Sequence, residues 1–591
     1  MEYVFNPIYN KTPAGPCAAG SDVTYVIKVS RWANVSSVFF VMVNDNDNTV
    51  QKIRMPLYSC DTAYFTYKAT INFKKAGLFW YYFEAKNGNT NIFLCKTQLF
   101  DIEPMGKPNT SFAQIVYDKP SVVSKNYRSG IIYHIFVDRF KRTNTTKTKE
   151  GMILRDDWGG EITKNSKDFL VINQECFGGN LQGIIDKLPY IKSLGTTTIF
   201  LSPIFESFSY HKYDTADYEQ VDSMFGGEAA LKNLITEAKK LGIGILLDGV
   251  FNHSGSDSIY FNKLGRYNSI GAYQSKKSKY FDWFKFDKFP DNYSSWWGIT
   301  TLPQFDAGEA TLQQFIAGPN GVIAKYMKMG LLGFRLDVVD EVADVMLDKI
   351  CARVKQVKPD AAILGEVWED AATKIAYSKR RHYFSGNQLD GVMNYPLRNS
   401  IIDFVLHGNA EGLASTFFML KDHYPIEVQN NVMNFLGTHD TKRILTVLTE
   451  NRPNQALNLL KLSSAIQYCA PGVPAVFYGD EAGIQGGDAP FCRVCFPWGN
   501  ENKEINNWYK KLGKLRGMDL LAQGDCNVLF AHNGVFVFER LQETKRIVVG
   551  ANCSLEDFKL NLKTPYTNFE TGKKVKDFVL LKPQEFVILL T

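Results

Sequence analysis

An α/β fold, a (β/α)8 barrel carrying an N-terminal β-sandwich and a small C-terminal β-domain, is what this sequence predicts. Three observations carry it. Short alternating strands fill the first 125 residues. Apolar strand-like runs then alternate with helical patterns for nearly four hundred. Strand texture returns after about Met518. Regular short strands separated by turns read as a sandwich. Strand–helix alternation reads as parallel strands with crossover helices, and this span is long enough for eight repeats.

In chain order, residues 1–125 hold Val23–Val29, Ser37–Val43, Tyr64–Ala69 and Phe79–Ala85, with turns such as Asn44-Asp45-Asn46-Asp47 and Asn87-Gly88-Asn89 between them. Carbohydrate binding and a scaffold role are both open for this domain. Residues 126–518 form the expected barrel. Its strands include Ile131–Phe136, Thr196–Leu201, Gly244–Val250, Leu332–Asp337 and Ala362–Glu366, and its helices include Leu181–Leu194 and Ala229–Leu241. The interval 254–306 breaks the rhythm and is crowded with Tyr, Phe and Trp. An insertion of that length is functional or a small subdomain. Residues 519–591 show strands at Val535–Arg540, Arg546–Gly550, Phe578–Leu581 and Glu585–Leu590.

Composition excludes some classes. Of 591 residues 45% are hydrophobic and 22% charged, the balance of a globular protein with large cores. A net charge of +6 over this length is too weak to argue for nucleic acid. No apolar stretch approaches membrane-spanning length, so no membrane partner is expected. Met1–Asn6 lacks a signal-peptide pattern, which predicts a cytoplasmic protein, with a trimmed secreted chain as the alternative. The ten cysteines are scattered and are expected to be free thiols; Cys492-x-x-Cys495 has no second pair and reads as structural or incidental.

In a parallel barrel, chemistry sits where strands end. Here those points carry Asp248 and His253, Arg335 and Asp337, Glu366, and His439 with Asp440. Arg335 and Asp337 share a strand face, and the cation should keep Asp337 ionised. Any one of these fits a cap or a salt bridge. Together they place four carboxylates on one face, and two carboxylates on neighbouring strands suffice to cleave a glycosidic bond. Asp337 suits the nucleophile. Glu366, followed by Val367 and Trp368, suits the proton donor. Asp440 suits stabilisation of the positive charge that develops.

The runs Asp248-Gly-Val-Phe-Asn-His253, Gly333-Phe-Arg-Leu-Asp337, Gly365-Glu366-Val-Trp368 and Thr438-His439-Asp440 resemble, in order and spacing, the signatures of the α-amylase family, glycoside hydrolase family 13. Gly178–Ile184, His211–Tyr218 and Gly472–Glu481 match further. Within the family the chain is most similar to the neopullulanase, cyclomaltodextrinase and maltogenic amylase group. The resemblance implies a retaining hydrolase of α-1,4 bonds, and of α-1,6 bonds as a second specificity, in starch-derived oligosaccharides, pullulan or cyclodextrins. It implies Asp337 as nucleophile, Glu366 as acid/base and Asp440 as stabiliser. Arg335 would orient Asp337, Asp248 would brace Arg335, and Tyr213, His253 and His439 would hold the sugar. Trp368 and Arg443 would serve neighbouring subsites or packing. Debranching, transglycosylation and a non-catalytic glycan-binding role are the alternatives. A monomer or a homodimer fits the group. Departures are Leu302-Pro303-Gln304 where the group has Met-Pro-Lys, and Val338-Val339-Asp340-Glu341 where it often has Ala-Asn-Glu. Relatives often carry calcium ligands after the position of Phe140. Here Lys141-Arg142-Thr143-Asn144-Thr145-Thr146-Lys147 is basic and short of carboxylates, so no metal or other cofactor is expected.

Overall fold

The computed structural model describes residues 2–144, 146–162 and 173–591. At the N-terminus two sheets face each other. One contains Ser21–Ser30 between Tyr3–Val4 and Tyr64–Phe73; the other centres on Gly77–Asn87, flanked by Ser37–Asn44, Thr90–Lys96 and Phe112–Tyr117. Along Ser21–Ser30 every second side chain, Val23, Tyr25, Ile27 and Val29, is buried, as a half-covered strand requires. Phe5, Tyr25, Phe40, Tyr81, Phe83 and Phe112 interlock between the sheets in mostly tilted and edge-on pairs.

Eight parallel strands follow: β1 Ile131–Ile135, β2 Thr196–Leu201, β3 Gly244–Gly249, β4 Gly333–Leu336, β5 Ala362–Gly365, β6 Gly391–Val392, β7 Met433–Phe435 and β8 Val473–Phe477. Their spatial order is β6-β5-β4-β3-β2-β1-β8-β7. A bridge between Met393 and Met433, with Asn394 N–H donating to Met433 O at 2.9 Å, closes the ring. The strands are buried on both faces, which is why they read as continuous apolar runs. Ile132, Phe200, Leu246, Leu364, Phe435 and Ala475 cluster together, and a larger cluster joins the strands to the helices. The expected helix Leu181–Leu194 is two short ones, Leu181–Asp186 and Leu188–Ser193, because Pro189 opens a new helical turn.

Gly333 permits the approach of β4 to β5: a Cβ there would lie 1.8 Å from Ala362 O. The pairing sets Leu336 beside Gly365, so Asp337 and Glu366, the next residues, leave the barrel side by side.

After the barrel, Asp525–His532, Val535–Gln542, Lys545–Asn552 and Phe586–Leu590 form an antiparallel sheet. Among the described residues, two ion pairs tie the N-terminal sandwich to the barrel. Lys11 Nζ lies 2.6 Å from Asp422 Oδ1 on helix Ala410–His423, with both side chains fully buried. Arg380, on the hairpin formed by Ile375–Ala376 and Lys379–Arg380, forks onto Asp45 with bonds of 2.7 and 2.8 Å. Among the described residues no helix is long and apolar enough to cross a membrane. All ten cysteines are free.

Candidate active site

Arg335 is fully buried at the end of β4 and reaches three carboxylates. Its Nη1 lies 2.7 Å from Asp248 Oδ1 and 2.8 Å from Asp337 Oδ1. Its Nη2 lies 2.8 Å from Glu366 Oε2, a close ion pair outside hydrogen-bond geometry. Strand register explains the first contact, since Asp248 and Arg335 are direct partners across β3 and β4.

This arrangement corrects the expectation that Arg335 simply keeps Asp337 ionised. One guanidinium serves three acids. Burial pushes the Asp337 carboxyl well above the usual carboxylate range; Arg335 opposes this, while Glu366 and Asp248 add to it. Burial raises Asp248 as well, against Arg335. Asp337 and Asp248 therefore both bind a proton more readily than an isolated carboxyl would.

Glu366 is fixed by two further donors. Val338 N–H donates to its Oε2 at 2.9 Å and Trp368 Nε1–H to its Oε1 at 3.1 Å. Val338 sits at φ 37°, a left-handed conformation costly for a β-branched residue. Strain of that kind is stored where geometry matters, and here it aims a backbone donor at Glu366. Trp368, half-exposed, stacks on Tyr395 at 3.9 Å.

Asp440 stands in a different field. His439 Nε2 is 2.9 Å away and Arg493 Nη2 3.3 Å away. Burial raises its carboxyl, but His439, Arg493 and Arg335 outweigh that and hold it below the usual range. Tyr213 links the two halves: its hydroxyl donates to Asp248 Oδ2 at 2.9 Å and meets His439 Nε2 at 2.5 Å, and its ring stacks on His439. His253 is buried with Nε2 3.2 Å from Tyr213 O; burial lowers its pKa to about 4, against that carbonyl. His211, whose Nδ1 accepts from Tyr213 N–H, is lowered by burial and nearby cations to about 3. Both rings are neutral at pH 7.

Asp248, Arg335, Asp337, Glu366, Trp368, Tyr213, His253, His439 and Asp440 thus form one contact network. Arg443 does not join it. Its guanidinium is fully buried behind the site, on Asp480 Oδ1 at 2.9 Å and on the carbonyls of Tyr478 and Cys492, with Phe477 beneath. Its place is in packing, not at a sugar subsite. Arg493 is the residue that sequence reasoning passed over. It also holds His439 O at 2.9 Å and Tyr210 OH at 3.0 Å. The available signal was a cation lying inside Cys492-x-x-Cys495.

Among the described residues no three His, Cys, Asp or Glu side chains are grouped to hold a metal. After Phe140, Asn180 Nδ2 donates to Thr143 and Thr146, and Thr145 lies outside the described residues. The Lys149 ammonium lies on Glu206 and 2.7 Å from Asp222 Oδ2, which Lys212 approaches at 2.8 Å. Ammonium groups thus sit where these carboxylates gather.

A family model, described as the alpha amylase catalytic domain, matches residues 134–519. An amylopullulanase of Thermoanaerobacterium saccharolyticum is 32% identical over 594 residues, 90% of this chain and 45% of that one. A cyclomaltodextrinase of Thermoanaerobacter pseudethanolicus is 35% identical over 444 residues, 72% of this chain and 70% of the other. The type III pullulan hydrolase from Thermococcus kodakarensis shares the fold with a TM-score of 0.69 at 25% identity, covering 99% of both chains. The chain spans less than half the length of the amylopullulanases it matches. On the family match and the relatives together, this chain belongs to the α-amylase family.

Proposed function

We propose that this protein is a retaining α-glucan hydrolase that cleaves α-1,4 bonds, with α-1,6 bonds as a second specificity. The observation that carries this reading is Arg335 gripping Asp337 and Glu366 from neighbouring strands, both at 2.8 Å. Adjacent barrel strands lie ~5 Å apart, close to the roughly 5–5.5 Å carboxyl separation of retaining enzymes.

In the reaction, an Asp337 oxygen attacks the anomeric carbon while a proton passes from Glu366 to the leaving oxygen. The glycosidic C–O bond breaks and a glycosyl ester forms on Asp337. Water then gives its proton to Glu366 and attacks the same carbon, which frees Asp337. Asp440, held ionised by His439 and Arg493, stabilises the positive charge on the ring in both steps. His253, His439 and Tyr213 hold the sugar in the cleavage position. The names of the relatives point to cyclodextrins and pullulan beside linear oligosaccharides as substrates.

Asp337→Asn should lower release of reducing sugar from maltooligosaccharides by about 10⁴-fold or more while the fold stays intact. Near-normal turnover in that variant would remove Asp337 as nucleophile. Pullulan separates the bond types: panose marks α-1,4 cleavage and maltotriose marks α-1,6 cleavage.

A further inference from the structure

Two exposed aromatic side chains outside the reaction centre are carried by segments that meet at the turn holding Asp340 and Glu341. Trp297 is 77% exposed and Tyr377 69% exposed. In the inserted subdomain, Tyr260, Phe261, Trp283, Phe284 and Tyr293 are buried in its own core, whereas Trp297 faces solvent. Its backbone is left-handed, φ 49°. Tyr377 and Ser378, the tip of the hairpin Ile375–Arg380, are left-handed too, at φ 50° and 61°. A two-residue connection of this kind normally takes Asn-Gly, so Tyr and Ser there carry strain.

The geometry spends that strain on aim. Trp297 Nε1–H donates to Glu341 Oε1 at 2.6 Å, and the hairpin that carries Tyr377 lies against the same turn, with Lys374 Nζ 3.1 Å from Asp340 Oδ2. Glu341 lies four residues beyond Asp337. On the inner side Trp296 stacks on Trp297, with ring centres 5.7 Å apart, and lies 5.7 Å from the His253 ring. An aromatic path therefore runs from His253 to the rim. On the outer side the hairpin is pinned to the N-terminal sandwich: Arg380 forks onto Asp45, which also accepts from Trp80 Nε1–H at 2.8 Å.

A glucose ring offers an apolar C–H face and a belt of hydroxyls. Two aromatic rings with a carboxylate acceptor between them match both. We propose that Trp297 and Tyr377, with Glu341 between them, form a sugar-stacking subsite on the rim of the cleft, held in position from the N-terminal sandwich through Arg380 and Asp45. This rests on the α-glucan reading above.

The test is calorimetric binding of maltohexaose and maltotriose to the full chain carrying Asp337→Asn, which removes turnover. Adding Trp297→Ala or Tyr377→Ala should weaken maltohexaose about two- to tenfold, the worth of one aromatic contact, and weaken maltotriose less. Both rings are exposed, so neither truncation should disturb folding. Asp45→Ala should give the same selective loss, whereas a merely structural role would lower thermal stability and leave the ratio of the two affinities unchanged. Unaltered maltohexaose binding in Trp297→Ala and Tyr377→Ala, or an equal loss for both sugars, overturns the subsite. An unaltered ratio in Asp45→Ala overturns the sandwich's part in it. Failure of Asp337→Asn to bind either sugar would sink the α-glucan reading and the subsite with it.

Discussion

At the scale of residues, the decisive fact is a shortage of positive charge. Asp248, Asp337 and Glu366 crowd one guanidinium, and burial with mutual repulsion raises the carboxyls of Asp337 and Asp248. The alkaline limb of kcat/KM reports loss of the last proton the free enzyme needs for the reaction. Asp248→Asn removes one negative neighbour, which makes the proton easier to lose. The limb should therefore move down by roughly 1 pH unit; pH–rate profiles check this, and a limb that stays or rises refutes it. Stability follows the same sign. Asp337 binds its proton more tightly folded than unfolded. Its contribution is thus full below the ordinary carboxylate range and is lost as pH rises toward the raised value. Asp337→Asn escapes that loss and should melt higher than the parent chain at pH 7, by about 2 °C. Asp337, Glu366 and Asp440 were legible because short polar runs at strand ends announce them. Arg443 and Arg493 were not. Nothing in spacing tells whether an arginine turns toward the opening or away from it, and burial with backbone carbonyls decided it for Arg443.

Elements divide by length in the same way. Ser21–Ser30 and Gly77–Asn87 show their period over ten or eleven residues, and Thr196–Leu201, three threonines followed by Ile-Phe-Leu, is buried throughout. By contrast β6 is Gly391–Val392 and β7 is Met433–Phe435, too short to show any period; only closure of the ring makes them strands. The aromatic insertion was legible as a unit but not in its purpose, since most of its rings pack on one another. The loop after Phe140 yields a prediction of its own. Lysine ammonium groups on Glu206 and Asp222 do the neutralising that a cation would do. Dialysis against a chelator should leave both hydrolysis and thermal midpoint unchanged. A loss restored by calcium would refute the assignment.

For the molecule as a whole, the sandwich and the barrel share a buried ion pair. Lys11→Met alone, or Asp422→Leu alone, strands a charge in an apolar interface and should cost roughly 3–5 kcal/mol in denaturant unfolding. The double variant should recover most of that, because no charge is left unpaired. Equal losses in the single and double variants would show that packing, not charge, holds the interface. The pair also sets an order in time. Lys11 and Asp422 are 411 residues apart, so at roughly 5–20 residues per second the ribosome makes the second about 20–80 s after the first. Through that interval the newborn sandwich carries a cation with no counter-charge, and its mating face stays wet. The pair cannot form until helix Ala410–His423, and with it most of the barrel, has been made. The ion pair is thereby one of the last interface contacts that synthesis makes available.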